Sequence, residues 1–200
     1  MKASLVILSF FATGLLLGLF HWFPAELLTY NISFYVLCAL MFSVGISIGN
    51  DPTSFRQFRH LNPRLIFLPL MTMVGTLLGM FAVSFFLKGR SVAECMAIGS
   101  GFGYYSLSSI LITQYKGIEL GTIALLSNIM REVITLLLAP WMVKYFGKLS
   151  PISAGGATTM DTTFPIIIRY SGKEFAIVSI YHGFIMDFSV PFLVTFFCSL

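Results

Sequence analysis

Five stretches of about 20 predominantly apolar residues follow one another along this chain: Ala3 to Phe23, Asn31 to Ile48, Leu65 to Leu87, Leu120 to Val143 and Phe175 to Phe197. As helices rising 1.5 Å per residue, each is about long enough to cross bilayer hydrocarbon. Only helices and closed barrels satisfy their backbone groups there, and runs this long favour helices. With 57% hydrophobic and 10% charged residues and a mean hydropathy of +0.90, the chain has too little polar surface to cover a soluble globule. The expectation is an all-α integral membrane protein: one transmembrane domain over residues 1–200, with three helices in 1–90 and a core with two discontinuous segments in 91–200. The net charge of +4 comes from loop lysines and arginines and implies no nucleic-acid partner. Cys38, Cys95 and Cys198 lie in apolar runs without metal-ligand spacing, so buried thiols are expected, with neither metal nor cofactor.

Several local signals punctuate the spans. Ala3 to Phe23 lacks a small-residue cleavage site, which favours a span over a signal peptide, and His21, Trp22 and Pro24 suit an interfacial end. A turn is expected over Ala25 to Tyr30. Asn50-Asp51-Pro52 reads as a helix start, since Asp caps free N–H groups and Pro fits a first turn; a ligand role for Asp51 is the weaker reading. Arg56, Arg59, His60 and Arg64 form a basic loop. Gly75 and Gly79 lie four apart, a spacing that lets another helix approach closely.

Two further stretches are long enough to enter a membrane but are unsuited to a continuous helix. Val92 to Gln114 carries Gly99, Gly101 and Gly103 at alternate positions, followed by the hydroxyl-rich Tyr104-Tyr105-Ser106-Leu107-Ser108-Ser109. Ser153 to Ile168 carries Gly155-Gly156, four threonines, Pro165 and Asp161. Glycines weaken helices, and a carboxylate is costly in hydrocarbon, so these stretches are expected to break at membrane depth and hold something polar. Either they turn back as re-entrant hairpins or they span with unwound centres. Within Leu120 to Val143, Asn128, Arg131, Glu132 and Thr135 fall at i, i+3, i+4 and i+7. They share one helix face, which must look into the protein or a wet cavity. An internal Arg131–carboxylate pair locking helices together is the plainer alternative. His182 and Asp187 are five apart and form no evident dyad; for His182 a satisfied core position is as reasonable as proton handling, and Asp187 either faces the same cavity as Asp161 or lies close to a helix end.

The basic residues discriminate between the two topologies. If both broken stretches return to the side they left, Lys2, Arg56, Arg59, Arg64, Lys144, Lys148, Arg169 and Lys173 share one side, and Lys88, Arg90 and Lys116 the other. If both span, the split is seven to four. The hairpin model fits the positive-inside bias better and puts the amino terminus in the cytoplasm and the carboxyl terminus outside. It gives a helical bundle of about five full spans plus two broken or re-entrant segments, an arrangement like that of a secondary transporter.

Four motifs in order, Ala97-Ile98-Gly99-Ser100-Gly101-Phe102-Gly103-Tyr104-Tyr105-Ser106-Leu107-Ser108, Asn128 with Arg131-Glu132, Gly155-Gly156-Ala157-Thr158-Thr159-Met160-Asp161-Thr162-Thr163-Phe164-Pro165, and His182-Gly183-Phe184-Ile185, resemble the LysO-type lysine exporter family. The resemblance covers roughly residues 92 to 200 and extends more weakly through Leu37 to Phe58. It implies export of L-lysine, and of its analogue thialysine, across the bacterial inner membrane, with Asp161 at the family's membrane carboxylate. Family members typically carry an additional amino-terminal portion. The resemblance therefore also implies a separate small membrane protein supplying those helices, or a homo-oligomer.

Lysine bears two ammonium groups and one carboxylate. Asp161 and Glu132 are candidates for the former, and Arg131, Asn128, the backbone of Gly99 to Gly103 and the hydroxyls of Tyr104, Tyr105, Ser106, Thr158 and Thr159 for the latter; His182 completes the candidate set. Inward proton movement is the expected coupling. An ion channel would use the same broken helices, and a structural subunit of a larger membrane complex would use its polar groups as interhelical glue. Enzyme activity is not expected, because the chain has no Gly-x-Ser-x-Gly, no His-Glu-x-x-His and no Gly-x-Gly-Asp around its membrane carboxylates.

Overall fold

A computed structural model describes residues 63–87 and 89–200, together with 13, 16–18, 20 and 42. The two amino-terminal spans beyond those few positions, the turn at 25–30, the helix start at Asn50 to Pro52 and the basic residues Arg56, Arg59 and His60 lie outside the described residues. The chain divides into two compact units, Met1–Ser47 and Ile48–Leu200; the elements below belong to the second. They are α1 (Pro63–Ile66), α2 (Leu68–Ser84), α3 (Val92–Gly99), α4 (Tyr105–Lys116), α5 (Ile118–Phe146), α6 (Ser150–Gly155), α7 (Phe164–Ser171) and α8 (Ala176–Cys198). Short 3-10 turns occupy Gly156–Met160 and Lys173–Phe175. The described residues form helices and turns, with no strand among them.

The long helix α5 sets the frame. Its first residues lie beside the end of α4, and Glu119 pairs with Arg90 just ahead of α3. Both outer ends of the α3–α4 segment therefore lie at the same end of α5. Ser91 starts α3 with a capping box: its side chain accepts from the Glu94 N–H at 3.1 Å, and its own N–H donates to the Glu94 carboxylate at 2.8 Å. At the other end of α5, Lys148 pairs with Glu174 at 2.9 Å, bringing together the residues that flank α6 and α7. Ile152, Ile167 and Val178 pack there as a core joining α6, α7 and α8, with Leu65, Leu68, Leu149 and Phe175 against it. The two broken segments are thus helix–break–helix hairpins that approach the middle of α5 from opposite ends.

Their tips meet. The Ala157 N–H donates to the Phe102 carbonyl at 2.9 Å. Gly156 has φ 64°, and a Cβ there would run into the Phe102 carbonyl, so only glycine allows this approach. Phe102 itself is left-handed, φ 45°, and fully buried, a strained conformation for a bulky residue that its packing holds in place.

Two side chains of α5 pin the tips. Asn128 accepts from the Gly103 N–H at 2.7 Å, while its amide nitrogen donates to the Ala124 carbonyl at 2.9 Å and lies 3.4 Å from the Ile98 carbonyl and the Ser108 hydroxyl. Arg131 donates from Nε to the Ala154 carbonyl at 2.8 Å and from Nη2 to the Ser153 carbonyl at 3.0 Å, satisfying the last turn of α6 with a charge of the favourable sign. The Arg131–carboxylate pair is not what forms. Among the described residues the ion pairs are Arg90–Glu119 and Lys148–Glu174. A planar guanidinium is instead matched to two consecutive carbonyls that a short helix leaves without partners.

α2 and α8 enclose the hairpins. Tyr181 of α8 donates to the Ile66 carbonyl at 3.3 Å, and Thr76 of α2 lies 3.4 Å from Arg131 Nη1. The close-packing face expected at Gly75 and Gly79 meets no neighbour within 4 Å among the described residues. Ser100, Ser108, Asn128, Thr135, Thr159, Ser179 and His182 are buried, whereas Leu137, Phe146, Phe188 and Phe192 are exposed. Polar groups inside and large apolar groups outside is the distribution that lipid, rather than water, stabilises. Two helices, Ile118–Phe146 and Lys173–Cys198, are long and apolar enough to cross a membrane.

Two outcomes follow. Replacing Asn128 by Ala removes the acceptor for a buried N–H and should destabilise the detergent-purified protein by about 1–3 kcal/mol, read as a lowered thermal or denaturant midpoint, while Ser127→Ala, at an exposed neighbour, leaves it unchanged. In a background with the native cysteines replaced, Lys148→Cys with Glu174→Cys should crosslink through a short bismaleimide and Arg90→Cys with Glu174→Cys should not; equal crosslinking of the two pairs would contradict the hairpin geometry.

Candidate functional site

The residues beside the meeting of the tips divide into two groups. The first is consumed by structure. Thr158 donates to the Gly155 carbonyl at 2.9 Å and lies 3.2 Å from the Thr163 hydroxyl, and the Thr159 hydroxyl reaches the Gly156 carbonyl at 2.8 Å and the Ser179 carbonyl at 2.9 Å. Both threonines are buried, and their hydroxyls stabilise the Gly156–Met160 turn. His182 is fully buried, with Nε2 2.9 Å from the Thr72 hydroxyl and Nδ1 3.4 Å from that of Thr159. It ties α2, α8 and the turn together. Asn128 and Arg131 are likewise committed to backbone groups.

The second group is not consumed in this way. Asp161 follows the Gly156–Met160 turn and precedes α7; its Oδ1 accepts from the Thr162 N–H and, at 3.3 Å, from the Thr162 hydroxyl. Within electrostatic reach lie Glu132 of α5 and Asp187 of α8. Tyr104 at the start of α4 feels the charges of both Asp187 and Asp161, and Tyr105 those of Glu132 and Asp161. Ser106 is half-buried in the first turn of the same helix. Asp161 thus lies within electrostatic reach of Glu132, Asp187, Tyr104 and Tyr105, and no described Lys or Arg forms an ion pair with these carboxylates. No group of His, Cys, Asp and Glu with metal-holding geometry occurs among the described residues.

Such an arrangement offers hydrogen-bond acceptors and negative charge to a cationic ligand. It also splits the polar stripe of α5. Asn128 and Arg131 turn to the hairpin backbones, whereas Glu132 lies within electrostatic reach of Asp161. A cavity of about 600 Å³ opens between α2, α3 and α5, beside Thr76, Met80, Ile98, Asn128 and Arg131. None of the three carboxylates lines it.

Sequence reasoning left Asp187 either facing the same cavity as Asp161 or lying close to a helix end, and the structure shows what positions it. Ser179 donates to the Thr159 carbonyl at 2.7 Å, and a Cβ on Gly183 would stand 2.8 Å from the Met160 nitrogen. The turn therefore lies directly on α8, and Asp187 is one helical turn beyond Gly183. The spacing 179, 183, 187, a hydroxyl, a glycine and a carboxylate on one helix face, is the signal that could have revealed it.

A family model described as "Lysine exporter LysO" matches residues 8–198. The lysine exporter LysO of Escherichia coli (strain K12) is 34% identical over 163 residues, 82% of this chain and 54% of that protein. A putative lysine exporter of Haemophilus influenzae (strain ATCC 51907 / DSM 11121 / KW20 / Rd) is 32% identical over 195 residues, 96% of this chain and 97% of that protein. This chain thus spans about half the length of the first relative and nearly all of the second. The first relative is thus the longer protein, as expected of family members, whereas the second is not. No solved structure matches. With the match extending over 8–198 and including both hairpins, the chain belongs to the lysine exporter LysO family, a family of transporters rather than enzymes.

Proposed function

We propose that this protein exports L-lysine, and analogues such as thialysine, across the bacterial inner membrane by secondary transport, exchanging the cation for protons at Asp161. The observation that carries the reading is the meeting of two opposed hairpin tips beside carboxylates that no described cation neutralises. Opposed broken helices of this kind form the substrate and coupling sites of many secondary transporters. The names of both relatives supply the substrate.

On this reading the hairpins are re-entrant, one from each side of the membrane. Lys144, Lys148, Arg169 and Lys173 lie toward the end of α5 that carries Phe146, and Arg90 and Lys116 toward the other. The positive-inside bias makes the first end cytoplasmic, with the amino terminus inside and the carboxyl terminus outside. Moving lysine's net positive charge outward opposes an inside-negative potential, at about 2.3 kcal/mol per charge per 100 mV. Proton entry offsets that cost. A single carboxylate that holds either a proton or the substrate's ammonium, never both, enforces the exchange: protonation from outside releases lysine, and lysine arriving from inside displaces the proton. Glu132, with Tyr104, Tyr105 and Ser106, adds acceptors around the ammonium groups. The main-chain N–H groups of Ser100 to Tyr104, expected as donors to the substrate carboxylate, already donate within the structure and are not assigned to it. We further propose that a companion small membrane protein or a second copy of the chain completes the transporter, because two bodies must move against each other around a midplane site; a lone, fully active monomer in detergent would sink that part.

In proteoliposomes with an imposed proton gradient, the wild type should move radiolabelled lysine saturably and Asp161→Asn should fall to the level of empty liposomes while eluting as a folded protein. Lysine transport retained by the Asn variant would overturn the assignment of Asp161, and currents without saturable lysine dependence would favour a channel.

A further inference from the structure

Asp187 is 8% exposed, and no described residue gives it a hydrogen bond or an ion pair. A carboxylate so enclosed in a protein of this composition is expensive unless something neutralises it. Its place is set by main-chain geometry rather than by a flexible loop. Ser179 and Thr159 exchange two hydrogen bonds, Ser179 Oγ to the Thr159 carbonyl at 2.7 Å and Thr159 Oγ1 to the Ser179 carbonyl at 2.9 Å. One turn further along α8, Gly183 carries no Cβ to separate the helix from Met160. One turn beyond that comes Asp187. The 3-10 turn, lying on the same stripe of α8, ends at Met160 and is followed by Asp161. The two carboxylates are thereby brought within electrostatic reach of each other, and Tyr104 at the tip of the other hairpin lies within reach of both.

We propose that Asp187 is a second substrate-binding residue, which together with Asp161 receives the side-chain ammonium of a transported diamino acid and so selects it over amino acids whose side chain carries no charge. The inference rests on the lysine-export reading above and deepens it. A primary ammonium has three N–H donors and no acceptor, and Asp161, Asp187 and the Tyr104 hydroxyl supply one oxygen-bearing group for each. Asp187 is the deeper of the two carboxylates: Asp161 is exposed where Asp187 is buried. Asp161 is thus open to proton exchange, while Asp187 measures how far the ligand's charge lies from its α-carbon.

The test uses the full chain in proteoliposomes, with radiolabelled lysine competing against Nε-acetyl-lysine and against ornithine, one methylene shorter. Asp187→Asn should raise the KM for lysine about tenfold or more, the loss of one charged hydrogen bond, and should let Nε-acetyl-lysine compete nearly as well as lysine. Asp187→Glu keeps the charge but brings it one methylene nearer, and should shift preference from lysine toward ornithine. An Asp187→Asn variant with wild-type KM and wild-type discrimination overturns the inference. If that variant does not fold, Asp187→Glu decides: unchanged lysine-to-ornithine preference overturns it equally. Wild-type protein that transports no lysine overturns the functional reading itself, whereas wild-type transport with unmoved Asp187 variants overturns only this inference.

Discussion

The hydrogen bond from the Ala157 N–H to the Phe102 carbonyl joins the ends of two broken helices, and the constraint it answers governs the whole unit. A helix interrupted at membrane depth leaves N–H and C=O groups that no water is present to satisfy, each costing several kcal/mol if unpaired. Every nearby polar side chain can be understood from how it meets that demand. Asn128 takes the Gly103 N–H, Arg131 takes two carbonyls of α6, and Thr158, Thr159 and Ser179 close the turn between them. Among the described residues the sole side-chain polar atom wholly closed off from the surface and without a partner is the Ser171 hydroxyl.

This accounting separates structure from chemistry. Groups that touch the hairpin backbones spend much of their hydrogen-bonding capacity there, and of these Asn128 and Arg131 also line the cavity beside α2 and α3. Asp161 accepts from Thr162 just after the turn, yet it, Glu132 and Asp187 have no cationic partner among the described residues. A rigid, internally satisfied support beside carboxylates without a cationic partner is what a cation site requires, because acceptors already in place need not be reorganised when the ligand arrives. Arg131, which the α5 stripe placed among candidate ligands, belongs to the support.

Much of the architecture is legible in the residues themselves. Gly99-Ser100-Gly101-Phe102-Gly103 and Gly155-Gly156 announce breaks, since three alternate glycines or a glycine pair weaken a helix wherever they occur. The inward face of α5 follows from the 3.6-residue period. Partners on that face do not, because i, i+3 and i+4 spacing specifies a direction and not what lies there. Hence Arg131 is as reasonably paired with a carboxylate as with a carbonyl, and the spacing of His182 and Asp187 gives no hint that one ends in the core beside Thr72 and the other beside Asp161.

By itself, the amino-acid sequence determined a helical membrane protein, the positions of its two breaks and the carboxylate at the second one, since these depend on composition and local backbone preference alone. Tertiary structure decided that each break turns its chain back toward the end of α5 it came from, that the two tips touch, and that Asp187 joins Asp161. Those outcomes depend on contacts between residues far apart in the chain. The docking of α8 on the Gly156–Met160 turn at Gly183 is one such contact, and local periodicity carries no information about it.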